Sequence, residues 1–386
     1  MEKKAILVFD AAQRSALAAT RALGKRSDIL VYTADYHENA LAGCSRYSEQ
    51  YLRCPNPSEN SLAFIEWVSN TITQYHIDVL FPLTEVTSRT LLEHQASLPA
   101  CKLPFAPLHK VLALSNKSEL TTLAESLGVP VPASQFCESV ADIQWQAVKF
   151  PCVLKPALSK VMVDNTWLAT QVHIVGSEEE MREVLTQQRY FNGHAFMVQQ
   201  FISGQGAGVF CYYQQGEAKA FFAHKRLREK PPSGGVSVLS ESVAVDPTMK
   251  LYAERLLNSV GWHGVAMVEF KINNDGTPYL MEINTRLWGS LQLAIDAGVN
   301  FPALLVDGEY QPVSTPPPFT TGVQLRWLLG DVDNLYIQLK SGALTFGDKC
   351  QHILRFLTPK LAKRRHEINR MDDMNPFWYE LKHYFK

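Results

Sequence analysis

Residues 264–284 read Gly-Val-Ala-Met-Val-Glu-Phe-Lys-Ile-Asn-Asn-Asp-Gly-Thr-Pro-Tyr-Leu-Met-Glu-Ile-Asn. Two apolar runs flank Asp275-Gly276, the preferred pair for a two-residue hairpin turn, and each run carries one carboxylate, Glu269 or Glu282. If Asp275 and Gly276 form the turn, Asn274 faces Thr277 and Glu269 faces Glu282. Asn284, two residues on, then shares their side of the ribbon. A four-residue loop keeps that face; a three-residue loop puts the two glutamates on opposite faces. Facing carboxylates among apolar neighbours destabilise a sheet unless a cation sits between them. Two carboxylates and a side-chain carbonyl are hard oxygen donors. Such a set suits Mg2+, which keeps water or phosphate oxygens in the rest of its shell. On spacing alone the competing reading is a solvated face of an amphipathic hairpin.

The hairpin runs into Thr285-Arg286-Leu287-Trp288-Gly289-Ser290. Met281-Glu282-Ile283-Asn284-Thr285-Arg286 resembles the E-I-N-P-R signature of ATP-grasp enzymes, and Glu269 stands where their first metal glutamate does. Thr285 replaces the usual proline, which changes backbone stiffness and removes no ligand. The continuation through Ala297-Gly298-Val299 is similar to the carbamoyl-phosphate-synthetase-like branch, which includes many carboxylate–amine ligases. The resemblance spans roughly residues 105–310.

This resemblance implies a nucleotide site assembled in chain order. Ser115-Asn116-Lys117 resembles the D-K pair that opens the module, with Lys117 near the phosphates and Asn116 keeping the ability to cap a helix. Cys152-Val153-Leu154-Lys155-Pro156 resembles the strand whose lysine, here Lys155, contacts the α- and β-phosphates; an ammonium ending an apolar strand needs water or an anion in reach. Residues 196–202 look like the adenine-binding hinge, with the Gln199 side chain on the exocyclic amine and the Ile202 backbone on the ring. The lid stretch 157–166 contains no glycine, so Ser159 and Lys160 would replace backbone amides at the phosphates. His224-Lys225-Arg226-Leu227-Arg228-Glu229-Lys230 leads into a loop around Gly234-Gly235, a cationic strand end suited to a carboxylate and a γ-phosphate. His224 and Lys225 fall on the nucleotide side of it. Arg226 and Arg286, with fixed charge and forked donors, are the candidates for stabilising an acyl-phosphate transition state. A packed histidine is the alternative for His224, and a solvated basic turn for Lys225.

The elements that must position these groups alternate from the start. Residues 5–10 and 28–33 read as strands, 14–23 and 62–75 as helices, 78–82 as a third strand and 87–95 as a further helix. That rhythm predicts a parallel sheet, Rossmann-like, yet its first turn, Asp10-Ala11-Ala12-Gln13-Arg14, lacks the glycine fingerprint of a dinucleotide site. The fold class is α/β plus α+β: a pre-ATP-grasp domain at 1–110, then a two-subdomain ATP-grasp fold with its lid side at 111–195 and its metal-bearing subdomain at 196–310. A partly helical extension occupies 311–386. Its segment from Lys360 to His366, with Phe377, Trp378, Tyr379 and Tyr384 behind, reads as a packed helix or as a surface for a partner or an anionic membrane.

Composition sets outer bounds. The chain has 386 residues, 46% of them apolar, and 37 Lys plus Arg against 38 Asp plus Glu, a balance that argues against a nucleic-acid partner. No apolar run is long enough to span a membrane or to act as a signal peptide. Seven scattered cysteines without a C-x-x-C pair fit reduced, cytoplasmic thiols. A homodimer is the commonest assembly for such a chain. The expected activity is an ATP- and Mg2+-dependent (or Mn2+-dependent) ligase that joins a carboxylate, amino-acid or peptide-like, to an amine through an acyl phosphate. The competing readings are activation of bicarbonate, as in carbamoyl-phosphate synthesis or biotin carboxylation, and an inactive ATP-binding module.

Overall fold

The computed structural model describes residues 3–157, 160–163, 166–232, 235–342, 344–358 and 363–384, and the statements below concern those residues. The chain begins with β1 (Lys4–Val8), α1 (Arg14–Gly24), β2 (Ile29–Asp35), β3 (Gln50–Arg53), α2 (Ser61–Tyr75), β4 (Val79–Phe81) and α3 (Glu85–Glu93). The four strands form a parallel sheet in the order β3-β2-β1-β4. β1 lies between two neighbours and is buried from Ala5 to Val8, which is why its sequence is an unbroken apolar run. β3 was not anticipated: at the sheet edge only its Leu52 is buried, so its sequence lacks an apolar pattern.

Asp10 follows β1 with φ 55°. Its carboxylate accepts from the backbone N–H groups of Leu83 and Thr84 and from the hydroxyls of Thr84 and Thr87. This one side chain ties the end of β1 to the turn between β4 and α3. Burial raises its pKa, and the four hydrogen bonds oppose that rise.

Next come α4 (Leu108–Ser115), α5 (Lys117–Ser126), β5 (Ser134–Cys137), β6 (Cys152–Pro156), β7 (Lys160–Val163), β8 (Thr166–Ala169), β9 (His173–Val175), α6 (Glu178–Gln187) and β10 (Phe196–Gln200). Asn116 caps α5 as expected, accepting from the N–H groups of Ser118 and Glu119, and Gly128 beyond it has φ 65°. An antiparallel sheet in the order β5-β10-β6-β9 packs Leu154, Phe196 and Val198 against Met181 and Phe191, while β7 and β8 pair as a separate ribbon.

The remaining elements are β11 (Gly204–Gln214), β12 (Glu217–Lys230), β13 (Val236–Val243), α7 (Pro247–Ser259), β14 (Gly264–Asn273), β15 (Pro278–Asn284), α8 (Leu291–Ala297), α9 (Phe301–Gly308), β16 (Gln324–Arg326), α10 (Leu328–Lys340), α11 (Phe346–Leu357), β17 (Arg364–His366) and α12 (Asn375–His383). Their strands form one sheet in the order β15-β14-β11-β12-β13-β16-β17. Gln215 and Gly216, both at positive φ, make the tight turn expected between β11 and β12. No helix among the described residues is long and apolar enough to cross a membrane.

The chain condenses into two compact units. The first is Met1–Val111, Gly208–Met267 and Asn284–Lys386; the second is Leu112–Ala207 and Val268–Ile283. These do not follow the contiguous boundaries expected at 110, 195 and 310. Strands bond laterally, so the seven-stranded sheet gathers its members from distant parts of the chain. In the first unit, Leu17 of α1, Leu293 of α8 and Phe301 of α9 share one core with Phe210 and Phe222.

Candidate active site

In the second unit, register places Met197 opposite Lys155 and Gln199 opposite both Val153 and Ser134. Side chains alternate, so Lys155, Gln199 and Ser134 share the face turned away from the Met181–Phe191 core. Gln199 is buried there and its Nε2 donates to Ser134 Oγ at 3.1 Å. Ile202, also buried, follows two residues beyond β10. At the end of β6, Lys117 Nζ donates to the Pro156 carbonyl at 3.1 Å. Lys271 Nζ lies 4.9 Å from the centre of the Phe201 ring.

The Lys155 ammonium shows how these groups converge. Burial, the largest effect, pushes its pKa down to about 8; Glu282 and Glu269 oppose that shift, while Lys117 and Lys271 add to it. One desolvated cation is thus in electrostatic reach of both glutamates and of two further lysines.

That convergence is reached by a different route from the one expected. The two-residue turn at Asp275-Gly276 is corrected to a three-residue loop: Asn273 N–H donates to the Thr277 carbonyl, Gly276 N–H donates to the Asn273 carbonyl, both at 2.9 Å, and Gly276 has φ 89°. With unbroken alternation this loop would set Glu269 opposite Met281 and turn Glu282 to the other side. The alternation is broken. Along β15, Pro278 and Leu280 are buried, Met281 and Glu282 are half-buried in succession, and Ile283 is buried again. Glu282 and Asn284 are thus half-buried, as Glu269 and Lys271 are on β14.

Among the described residues no three His, Cys, Asp or Glu side chains gather as a metal-binding group. The candidate oxygen donors are the carboxylates of Glu269 on β14 and Glu282 on β15 and the amide of Asn284, also on β15. Such a set fits a hard dication that takes its remaining ligands from water or phosphate.

In the first unit, a cavity of 290 Å³ opens where β1 and β4 end and α1 and α3 begin, lined by Arg14, Ser15, Thr84, Glu85, Arg286 and Gly289 among others. The carboxyl ends of parallel strands and the free N–H groups at helix starts make this a natural place for an anion. Arg286 also donates to its neighbour's carbonyl, Leu287 O, at 3.1 Å. Arg14 is held from behind: its Nη1 donates to Glu367 Oε2 at 2.5 Å, and its guanidinium lies 4.1 Å from the centre of the Trp327 ring. Trp327 Nε1 in turn donates to Glu380 Oε1 at 2.6 Å, and burial pushes the Glu380 pKa up to about 7. Burial also raises the pKa of Glu367, against the opposing charge of Arg14. Sequence reasoning missed Arg14, Glu85 and Glu367. Arg14 sits at the start of an ordinary helix pattern, and its partner is 353 residues away.

The cationic strand end resolves into different roles. His224, expected on the nucleotide side, is instead a packing residue. It is 7% exposed, its ring stacks on Phe210 at 4.7 Å and its Nε2 shares a hydrogen bond with Ser290 Oγ at 2.7 Å. Burial above all, with Arg226 adding, pushes its pKa down to about 3, so it is neutral. Lys225 is an exposed cation paired with Glu241 at 2.9 Å. Arg226 pairs with Glu229 at 3.0 Å and does not line the cavity that holds Arg286. Ser159 and Gly234 lie outside the described residues, as does Lys360. In the tail, Arg364–His366 form strand β17 rather than a helix, Glu367, Ile368 and Asp373 are buried, Phe377 and Tyr379 pack on the core, and Trp378 is exposed.

Comparison with known proteins gives a match over part of the sequence and a likeness of fold. Residues 192–330 match a family model described as "ATP-grasp in the biosynthetic pathway with Ter operon". No curated protein matches the chain. Among solved structures, an L-amino acid ligase from Bacillus licheniformis is similar with a TM-score of 0.61 at 18% identity, over 81% of this chain and 76% of that one. The N5-carboxyaminoimidazole synthetase of Staphylococcus aureus, complexed with ADP, gives 0.63 at 13% over 84% and 82%. The biotin carboxylase domain of Hydrogenobacter thermophilus 2-oxoglutarate carboxylase, with MgADP and bicarbonate, gives 0.63 at 13% over 81% and 71%. Residues 192–330 thus match an ATP-grasp family model, and the chain shares its fold with these solved structures.

Proposed function

We propose that the chain is an ATP-dependent carboxylate–amine ligase working through an acyl phosphate. The observation that carries this reading is that the buried Lys155 ammonium lies within electrostatic reach of both Glu269 and Glu282. Lys155 and Lys117 would take phosphate oxygens, and Gln199 with the Ile202 backbone would take adenine. Glu269, Glu282 and Asn284 would hold Mg2+, or Mn2+ in its place. The dication, when bound, supplies neutralisation of charge on the transferring phosphoryl group. A triphosphate beside Lys155 would restore the ordinary protonation that burial removes.

The cavity of the first unit favours an amino-acid-like substrate. Arg14 and Arg286 offer forked donors for its carboxylate, and Glu85 offers a counter-charge for its ammonium. A carboxylate oxygen attacks the γ-phosphorus, the bond to the β–γ bridging oxygen breaks, and ADP leaves. An amine then attacks the acyl carbon, the carbon–oxygen bond to phosphate breaks, and the amine proton passes to water. The products are an amide, ADP and phosphate. Arg286 and Arg226 would offset the charge that builds on the transferring group. The L-amino acid ligase among the similar structures supports the substrate class.

The test is a phosphate-release screen of amino acids, dipeptides and sugar acids, with mass spectrometry of the products. Release is expected only when a carboxylate and an amine are both present. Glu282→Gln should lower it by about 100-fold or more, the scale of losing one main electrostatic stabiliser. Tight ATP binding with no pair releasing phosphate would overturn the reading, as would release driven by bicarbonate alone.

A further inference from the structure

A second cavity in the first unit, 230 Å³, lies between β12–β13 and the helices α10 and α11. At about 30 Å³ per water it has room for several waters, enough for a small ion with part of its shell. Its walls carry Arg228 from β12, Asp331 from α10, and His352, Arg355 and Phe356 from α11. Arg326 stands behind the Phe356 wall, with its guanidinium 4.1 Å from the ring centre.

Charge at this place does not balance. Asp331 is fully buried, and its Oδ2 accepts from both Arg228 Nη2 and Arg326 Nε at 2.6 Å. One carboxylate oxygen therefore serves two guanidinium groups, while Arg228 Nε and Arg326 Nη2 find no acceptor among the described residues; the other carboxylate oxygen, Asp331 Oδ1, and Gln338 Oε1 are likewise buried without a donor, so polar groups of both kinds are unsatisfied here. Arg364 adds a third guanidinium: burial first, then Arg326 and Arg228, push its pKa down. Arg355 brings a fourth from the other side of the cavity. The neighbouring carboxylate, Asp333, is taken by Lys230 and Tyr384. Buried donors and cations without acceptors are costly, and a bound oxyanion would supply both hydrogen-bond acceptors and compensating charge.

We propose that this cavity is a binding site for a small oxyanion, a phosphate or carboxylate group, gripped by Arg228 and Arg355 with Arg326 and Arg364 behind them. Its walls come from β12, β13 and the C-terminal helices, and it shares no residue with the cavity that holds Arg286.

The test is protection of individual arginines from phenylglyoxal on the full chain, read by peptide mass spectrometry. Inorganic phosphate and citrate are the separate probes, and chloride at equal ionic strength is the control. Labelling of Arg355 is expected to fall several-fold with phosphate or with citrate but not with chloride. Arg182, on the second unit with its side chain 56% exposed, should be unchanged. The arm that protects at lower concentration identifies the oxyanion as phosphate or carboxylate. Asp331→Asn keeps the shape and removes the competing charge, so half-protection should need less anion. If that variant fails to fold, His352→Ala on the half-buried face of α11 serves instead, and should need more. No protection at up to about 10 mM, a binding free energy weaker than roughly 3 kcal/mol, overturns the proposal. Equal protection by chloride, or equal protection of Arg182, overturns it too.

Discussion

Lys155 is the residue on which the chemistry can be read most directly. Its pKa is lowered from 10.5 to about 8, so the folded chain binds fewer protons than the unfolded one between those values. Stability must therefore rise with pH across that window. An anion bound beside the ammonium reverses the shift. Near pH 8, ATP binding should take up about half a proton, because Lys155 is then half neutral in the free protein and charged in the complex. Calorimetry in two buffers of different ionisation enthalpy measures this, and Lys155→Met should abolish the uptake. Uptake that persists in that variant would move the proton elsewhere. His224 is the opposite case at the same scale. It looked equally capable of chemistry, yet aromatic packing holds it neutral, and only its burial reveals that.

At the scale of elements, the cavity in the first unit depends on contacts that bring the chain's ends together. α1 supplies Arg14, and the segment leading to α12 supplies Glu367, whose second oxygen, Oε1, has no partner among the described residues. Removing the charge while keeping the shape, Glu367→Gln, should loosen Arg14. The expected result is a rise of about tenfold in KM for the organic substrate, the worth of one charge-assisted hydrogen bond. The KM for ATP should stay unchanged, and Glu367→Asp should recover part of the loss. A fall in both affinities together with a collapse of thermal stability would make Glu367 a folding residue rather than a positioning one. The β14–β15 hairpin carries a parallel lesson: its three-residue loop shifts the register by one residue from the two-residue turn that Asp275-Gly276 favours.

Across the whole molecule, the C-terminal segment works as a clasp on the N-terminal sheet and helices. Asp373 is 3% exposed and accepts from Arg21 Nε, Ser45 Oγ and the Arg46 N–H. Arg21 donates as well to the carbonyls of Glu367, Ile368 and Asp373, and burial lowers its pKa against the pull of that carboxylate. Asp373→Ala leaves a buried guanidinium uncompensated and should cost about 3–5 kcal/mol of unfolding free energy. The exposed Lys25–Asp372 pair nearby is the control, since Asp372→Ala should cost no more than about 1 kcal/mol. Urea denaturation of the two variants checks the contrast; equal losses would mean that the clasp does not contribute.

The sequence by itself determined the alternation of the first sheet, the cap on α5, the β11–β12 turn and the hairpin that carries Glu269 and Glu282. Each follows from local rules of period, capping and turn chemistry, which act over a few residues. The tertiary structure alone decided the three-residue loop of the glutamate hairpin, the packing of His224, the edge strand β3 and the grip of Glu367 on Arg14. Those outcomes depend on one extra residue in a loop, or on side chains far apart in the chain. No local pattern encodes them, because burial and pairing energies are set only when the whole chain has closed around them.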